Sequence, residues 1–280
     1  MALLDEAISF GDELRAKLHD WAVKLHTQNN PNLTDDDELK SVLLWVKSLV
    51  MISWDISGSV FVLASGDNLR AMKILNRCMF EYWVRIFYYV WNRDEAVAHA
   101  KLVNSTNRKG IRANRDWFDR SVMTPEEITY LDSVLSSNDE SVPIPRFRNI
   151  LKAVVKELKF DDWEAAEKWM YENYYLIASG FVHGSPALVL DMYLYPDEHT
   201  VGMLDKSDRQ HPIEGVGECI SHLLWTLKAL SLAIGRDEYA MYQRFYELKF
   251  DGAIKAEALC LNAERAERRK SDREAGNSQF

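Results

Sequence analysis

Three charged residues spaced four apart, Arg77, Glu81 and Arg85, lie inside a strongly apolar segment that runs from the turn Ser65-Gly66-Asp67-Asn68 to about Asn92. At helical spacing Arg70, Arg77, Glu81, Arg85, Tyr88 and Asn92 fall roughly on one line, while Met72, Leu75, Met79, Trp83, Ile86 and Val90, then Phe80, Phe87 and Trp91, cover the other sides. A helix apolar on most sides is normally central. Charges on such a helix must be paired or must line a cavity, because an isolated buried charge is too costly. Two chemistries are open to them. Glu81 can bridge both arginines as an internal salt-bridge ladder, or the guanidinium forks can line a pocket for phosphate or carboxylate, whose geometry they match.

A second polar line has the same character. Glu172, Tyr175, Ser179 and His183 share one helical line, with Trp169, Tyr174, Ile177 and Phe181 on the remaining sides. Gly184 comes directly after His183, so the imidazole is expected at a helix C-terminus, where the dipole favours its charged form. Ser179 and His183, one turn apart, are the candidate catalytic pair, His183 for proton transfer. A hydrolase also needs an oxyanion hole, and the sequence locates none. Arg77, Glu81, Arg85 and Tyr175 are the candidate ligand-binding set, and Arg77 and Glu81 are expected to pair near Ser179 and His183.

The segments LRAMKILNRCMFEYWVRIFYY, with its R-x-x-x-E core, and YYLIASGFVHGSP, with its S-x-x-x-H-G, resemble the two signature helices of bacterial domain-of-unknown-function families. The likeness spans about residues 55–190. It implies an all-helical fold, and it marks Arg77, Glu81, Tyr175, Ser179 and His183 as the positions to watch. Those families carry no assigned activity. Helical proteins of this type compare, at most distantly, with the HEPN group, whose metal-independent ribonucleases use Arg, four to six residues, then His. There the His moves a proton at the 2′-OH and the Arg stabilises the phosphorane. Arg93 and His99 fit that spacing. Composition alone supplies roughly one such match in a chain like this, so the match carries no weight. No Arg lies five to seven residues before His183.

Other clusters have plainer readings. Arg108, Lys109, Arg112, Arg115 and Arg120, beside Trp117 and Phe118, offer a phosphate or single-strand contact, but Asp116 and Asp119 offset part of the charge, as on a solvated helix face. His199, His211 and His222, with Asp191 or Asp197, match no metal-ligand spacing and read as surface or capping histidines. No metal or cofactor is expected.

Composition bounds the rest. The 280 residues are 47% hydrophobic and 28% charged, with a net charge of −9, so bulk electrostatics do not favour nucleic acid or anionic membrane. Cys78, Cys219 and Cys260 form no CxxC pair and suggest a reducing, cytoplasmic setting. The acidic N-terminal segment lacks the basic start and apolar run of a signal peptide. Residues 42–64 are the most membrane-like, but Lys47, Asp55 and several serines interrupt them, so they read as a buried core helix and no membrane association is expected.

To position these residues the chain is expected to form a single all-α bundle of about nine or ten helices over residues 1–268, with residues 269–280 as a disordered tail. Strong start signals stand at Thr34 with Asp35–Asp37, at Thr124-Pro125-Glu126-Glu127, and at Asp161 or Asp162. Residues 137–145 form a loop. The alternation at Leu188, Leu190, Met192 and Leu194 and the turn at Pro196-Asp197 allow a short β-hairpin within 187–205. The function expected is a binding or structural module with a polar Arg-Glu/Ser-His centre. The alternatives are a HEPN-like enzyme acting on RNA or a nucleotide, and a small-anion sensor using Arg77 and Arg85. Aromatics near the C-terminus, Tyr239, Tyr242 and Phe245, suggest a homodimer.

Overall fold

The computed structural model describes residues 2–27, 37–66, 68–92, 94, 119–136, 145–176, 179, 194–195, 198–201, 212–235 and 237–277. The fold is all-α. Among the described residues there are 8 helices, slightly fewer than expected. They are α1 (Ala2–Thr27), α2 (Asp37–Ser65), α3 (Leu69–Trp91), α4 (Pro125–Ser136) and α5 (Phe147–Glu157). Next come α6 (Trp163–Met170, continued by a π turn Tyr171–Leu176), α7 (Pro212–Ile234) and α8. The last runs Tyr239–Tyr246, passes through a π turn Glu247–Asp251 and continues as Gly252–Asn277. The hairpin is present as β1 (Leu194–Tyr195) and β2 (Glu198–Val201), antiparallel, pairing Leu194 with Val201 and Tyr195 with Glu198.

Local chemistry sets several boundaries. The Asn68 side chain accepts from the Ala71 N–H to start α3. Thr124 and Glu127 form a reciprocal capping box: each side chain accepts the other's backbone N–H, at 3.3 and 2.8 Å. Asp162, rather than Asp161, caps α6 through the Ala165 N–H at 3.0 Å. Pro212 opens α7, and Gly235, at φ +69°, closes it in the left-handed region that favours glycine. Arg120–Val122 forms a 3₁₀ turn capped by Asp119. The basic residues before Arg120 and residues 137–144 of the expected loop lie outside the described residues. Residue 268 does not end α8, which runs to Asn277. In the sequence Glu264 and Arg268, Arg268 and Asp272, and Lys270 and Glu274 stand four apart, a spacing that favours a continued helix.

The centre of the bundle is shared. α3 packs on α2, α5 and α7, and α7 also packs on α1, α2 and α8. α7 is the more deeply covered of the two, with Ile213, Val216, Cys219, Ile220, His222, Leu223, Leu224, Leu227 and Leu230 all buried. Gly215 permits the close approach to α3: a Cβ there would sit 2.7 Å from the Met72 methyl. The segment Val46–Ser65 of α2 is long and apolar enough to cross a membrane by composition. In the fold it is amphipathic, with Val46, Leu49, Val50, Val60 and Phe61 buried and Asp55, Ser59 and Val62 exposed.

Candidate functional site

The charged stripe on α3 is a ladder. Arg77 Nη2 lies 2.7 Å from Glu81 Oε1, and Arg85 Nη2 lies 4.0 Å from Glu81 Oε2. Aromatic faces cover both guanidinium groups. Arg77 sits over the Tyr175 ring at 4.7 Å and Arg85 over Phe147 at 5.9 Å, and those two rings stack on each other at 4.7 Å. Charge pairing and cation–π contact therefore tie α3 to α5 and to the π turn of α6. Of the expected site residues, Arg77, Glu81, Arg85 and Tyr175 come together. Ser179 Oγ is buried without a hydrogen-bond partner, as is Arg77 Nε. His183, Arg93 and His99 lie outside the described residues.

The straight line expected from Glu172 through Tyr175 to Ser179 is altered by the π turn at Tyr171–Leu176. A π turn adds a residue to the helical repeat and rotates the side chains beyond it about the axis. Asn173 donates to the Trp169 carbonyl at 2.8 Å within this widened turn. The turn points Tyr175 at the ladder and directs Tyr174 the opposite way, toward α7.

That opposite direction leads to a polar cluster that the histidine reading missed. His222 is 1% exposed in the core, neither a surface nor a capping residue. Its Nδ1 accepts from the Trp83 indole N–H at 3.2 Å, so its own proton resides on Nε2. Nε2 has no hydrogen-bond partner and faces Glu218 Oε1 at 4.0 Å. Asn76, 0% exposed, donates from its amide to the Gly215 carbonyl at 2.9 Å and to Glu218 Oε2 at 3.3 Å. Tyr174 meets the His222 ring edge-on at 5.1 Å. Burial pushes the Glu218 carboxyl up to about 7, countered in part by Lys73 and the Asn76 amide and reinforced by Glu214. Burial holds the His222 imidazole down to about 3. Both groups are therefore neutral over a wide range below pH 7.

Glu218 faces a cleft of about 540 Å³ between α6, α7 and α8, lined also by Trp169, Tyr174, Ser221, Tyr246, Ile254 and Leu259. Both π turns contribute to its wall, through Tyr174 and Asp251. Gly217 keeps the floor open: a Cβ there would approach Ile254 Cγ2 to 3.0 Å, and the Gly217 carbonyl accepts from Tyr246 Oη at 3.2 Å and Ser221 Oγ at 3.0 Å. Among the described residues no group of three or more His, Cys, Asp or Glu side chains is placed to hold a metal ion. No family model, curated protein or solved structure matches the chain. The geometry of the cleft and of the ladder is thus the basis for a functional reading.

A sequence signal for the cluster did exist. Glu214, Glu218 and His222 stand four apart on an otherwise apolar helix, the same pattern as Arg77, Glu81 and Arg85. A histidine within such a helix faces the core as readily as the surface, and only the packing partner decides which.

Proposed function

We propose that the protein is a binding module that takes a small, largely apolar molecule into the α6–α7–α8 cleft, with the Arg77–Glu81–Arg85 ladder holding the cleft's outer wall in place. The observation that carries this reading is the Asn76–Glu218–His222 cluster, its asparagine and histidine buried, at the edge of an aromatic-lined space. Ligand sites typically combine an apolar lining of a few hundred Å³ with a few convergent polar groups and a shifted pKa. Nile red, a neutral fluorophore, is expected to bind the native protein with a blue-shifted emission. The shift should be lost in Ala258→Phe and in Leu259→Trp, both cleft-lining positions, while circular dichroism reports the fold intact. Unchanged emission in the two folded variants contradicts the reading.

The small-anion reading has one observation in its favour, the unpartnered buried Arg77 Nε on the α3–α6 seam. In a thermal melt, stabilisation by inorganic phosphate that disappears in Arg77→Met assigns an anion to the seam. No stabilisation removes it.

Self-association is a further part of the proposal. Met241, Phe245 and Leu248 are exposed at 62%, 45% and 79% along α8, whereas Tyr239 and Tyr242 are partly buried against the core. Light scattering at micromolar concentration is expected to report a dimer that Leu248→Glu converts to monomer. A monomeric native protein overturns this. The free cysteines support placing the protein in a reducing compartment such as the cytoplasm.

A further inference from the structure

We propose that the cleft selects an organic cation, its ammonium group on Glu218 and its apolar or aromatic body against Trp169, Tyr174, Ile254 and Leu259. The inference rests on the binding reading above and names the ligand class for the same site.

The charges around the cleft decide the sign. Its lining holds three carboxylates, Glu214, Glu218 and Asp251, against one ammonium, Lys255. Two of the three already have close partners. Glu214 Oε1 accepts from the Asn262 amide at 2.6 Å, and Asp251 Oδ2 is paired with Lys255 Nζ at 2.7 Å. Glu218 is the least satisfied, with one long hydrogen bond from Asn76 at 3.3 Å and the His222 Nε2–H standing off at 4.0 Å. An anionic ligand would meet net repulsion here. A cation would meet a carboxylate and the faces of tryptophan and tyrosine, both of which attract it.

The orphaned imidazole proton fits this role. With Nδ1 occupied by the Trp83 indole, His222 can only donate from Nε2, and Glu218 is the acceptor before it. An ionised carboxylate accepts more strongly than a protonated one. A bound cation that draws Glu218 into its charged form therefore gives the His222 and Asn76 donors a proper acceptor. Tyr174, packed against the imidazole edge, keeps the ring in position.

Glu218 is faced from α3 by Lys73 and Asn76, from its own helix by Glu214 and His222, from α6 by Tyr174, and from α8 by Tyr246, Asp251 and Lys255. The Glu218 carboxyl, near 7, is the group among these that changes charge around neutrality. Tyr174 and Tyr246 stay protonated, since burial raises both, Tyr246 to about 12. Alkyl amines are charged throughout this range. Binding should thus track the ionised fraction of Glu218, and affinity should rise about tenfold between pH 6 and pH 8.

The test is isothermal titration of the full chain with 2-phenylethylamine, its neutral isostere 2-phenylethanol and the anion 3-phenylpropionate. The amine is expected to bind tightest, with the tenfold pH dependence. In Glu218→Gln, which mimics the protonated side chain, amine affinity should fall at least tenfold and lose its pH dependence while the alcohol still binds. Asp251→Asn, at an acid of the lining already paired with Lys255, should change amine affinity by less than about threefold. If the alcohol or the carboxylate binds as well as the amine, or if amine affinity is flat with pH, the cation inference fails and the cleft reading stands. If none of the three binds and Nile red does not bind either, both fail together.

Discussion

Trp83→Ala is expected to lower the unfolding free energy by about 3–5 kcal/mol, a large part of the stability of an ordinary domain. Trp83 is 1% exposed and stands where α3 meets α7. It stacks on Trp225 at 5.2 Å and presents edges to Phe80 at 5.3 Å and Phe87 at 5.9 Å. Truncation removes one of the largest buried side chains and leaves a cavity that these rings cannot close by rotation alone. It also strips His222 Nδ1 of its donor. Trp83→Phe separates the two contributions. It keeps most of the apolar contact but leaves the imidazole acceptor unsatisfied, at an expected cost of about 1–3 kcal/mol. Urea titration followed by far-ultraviolet circular dichroism measures both, with the denaturant slope unchanged if only the native state is affected. A Trp83→Ala protein within about 1 kcal/mol of the parent would show that the α3–α7 contact is not where the fold is held.

The second large effect is a hidden pH dependence. Glu218 is raised from 4.5 to about 7, so between those values the native state holds a proton that the unfolded state has released, and stability falls as pH rises. His222 is lowered from 6.5 to about 3, so over that interval the unfolded state holds the extra proton, and stability rises with pH. From pH 4.5 to 6.5 the two slopes oppose each other and nearly cancel. This pair should leave the parent protein's stability almost level there, falling on the acid side through His222 and, more weakly, near pH 7 through Glu218. Glu218→Gln removes the falling contribution alone. Relative to the parent, its stability should climb by about 1.4 kcal/mol per pH unit across the window, or about 3 kcal/mol in all. Denaturant midpoints at half-unit pH steps give the difference curve. A variant curve parallel to the parent's would mean that Glu218 titrates normally and the cluster is not desolvated.

The legible parts of this protein were those set by neighbours within one helical turn. Glu81 between Arg77 and Arg85 forms a ladder because side chains four apart meet on any α-helix, and that geometry is local. The caps at Asn68, Thr124 and Asp162 come from the same short reach, as does the Pro212–Gly235 frame of α7. The all-α fold comes from the apolar spacing of the long helices. Glu172 and Ser179 looked aligned on an ideal helix, but the π turn between them changes the phase. Such a turn arises where packing of Tyr171, Tyr174 and Tyr175 on different neighbours outweighs regular hydrogen bonding, and no single-residue preference signals it.

The cluster at the cleft shows the other limit. Asn76 lies beside Arg77 in sequence, yet one faces α7 and the other the aromatic wall of α6. His222 and Trp83 meet across 139 residues of chain. The sequence by itself determined the all-α fold, several helix starts, the ladder and the sparing use of charge on α3 and α7. Only the tertiary structure decided which face of each helix was enclosed. That choice sets desolvation, and desolvation turns Glu218 and His222 from two ordinary polar residues into a neutral pair at the mouth of a cleft, the histidine buried and the carboxyl at its edge.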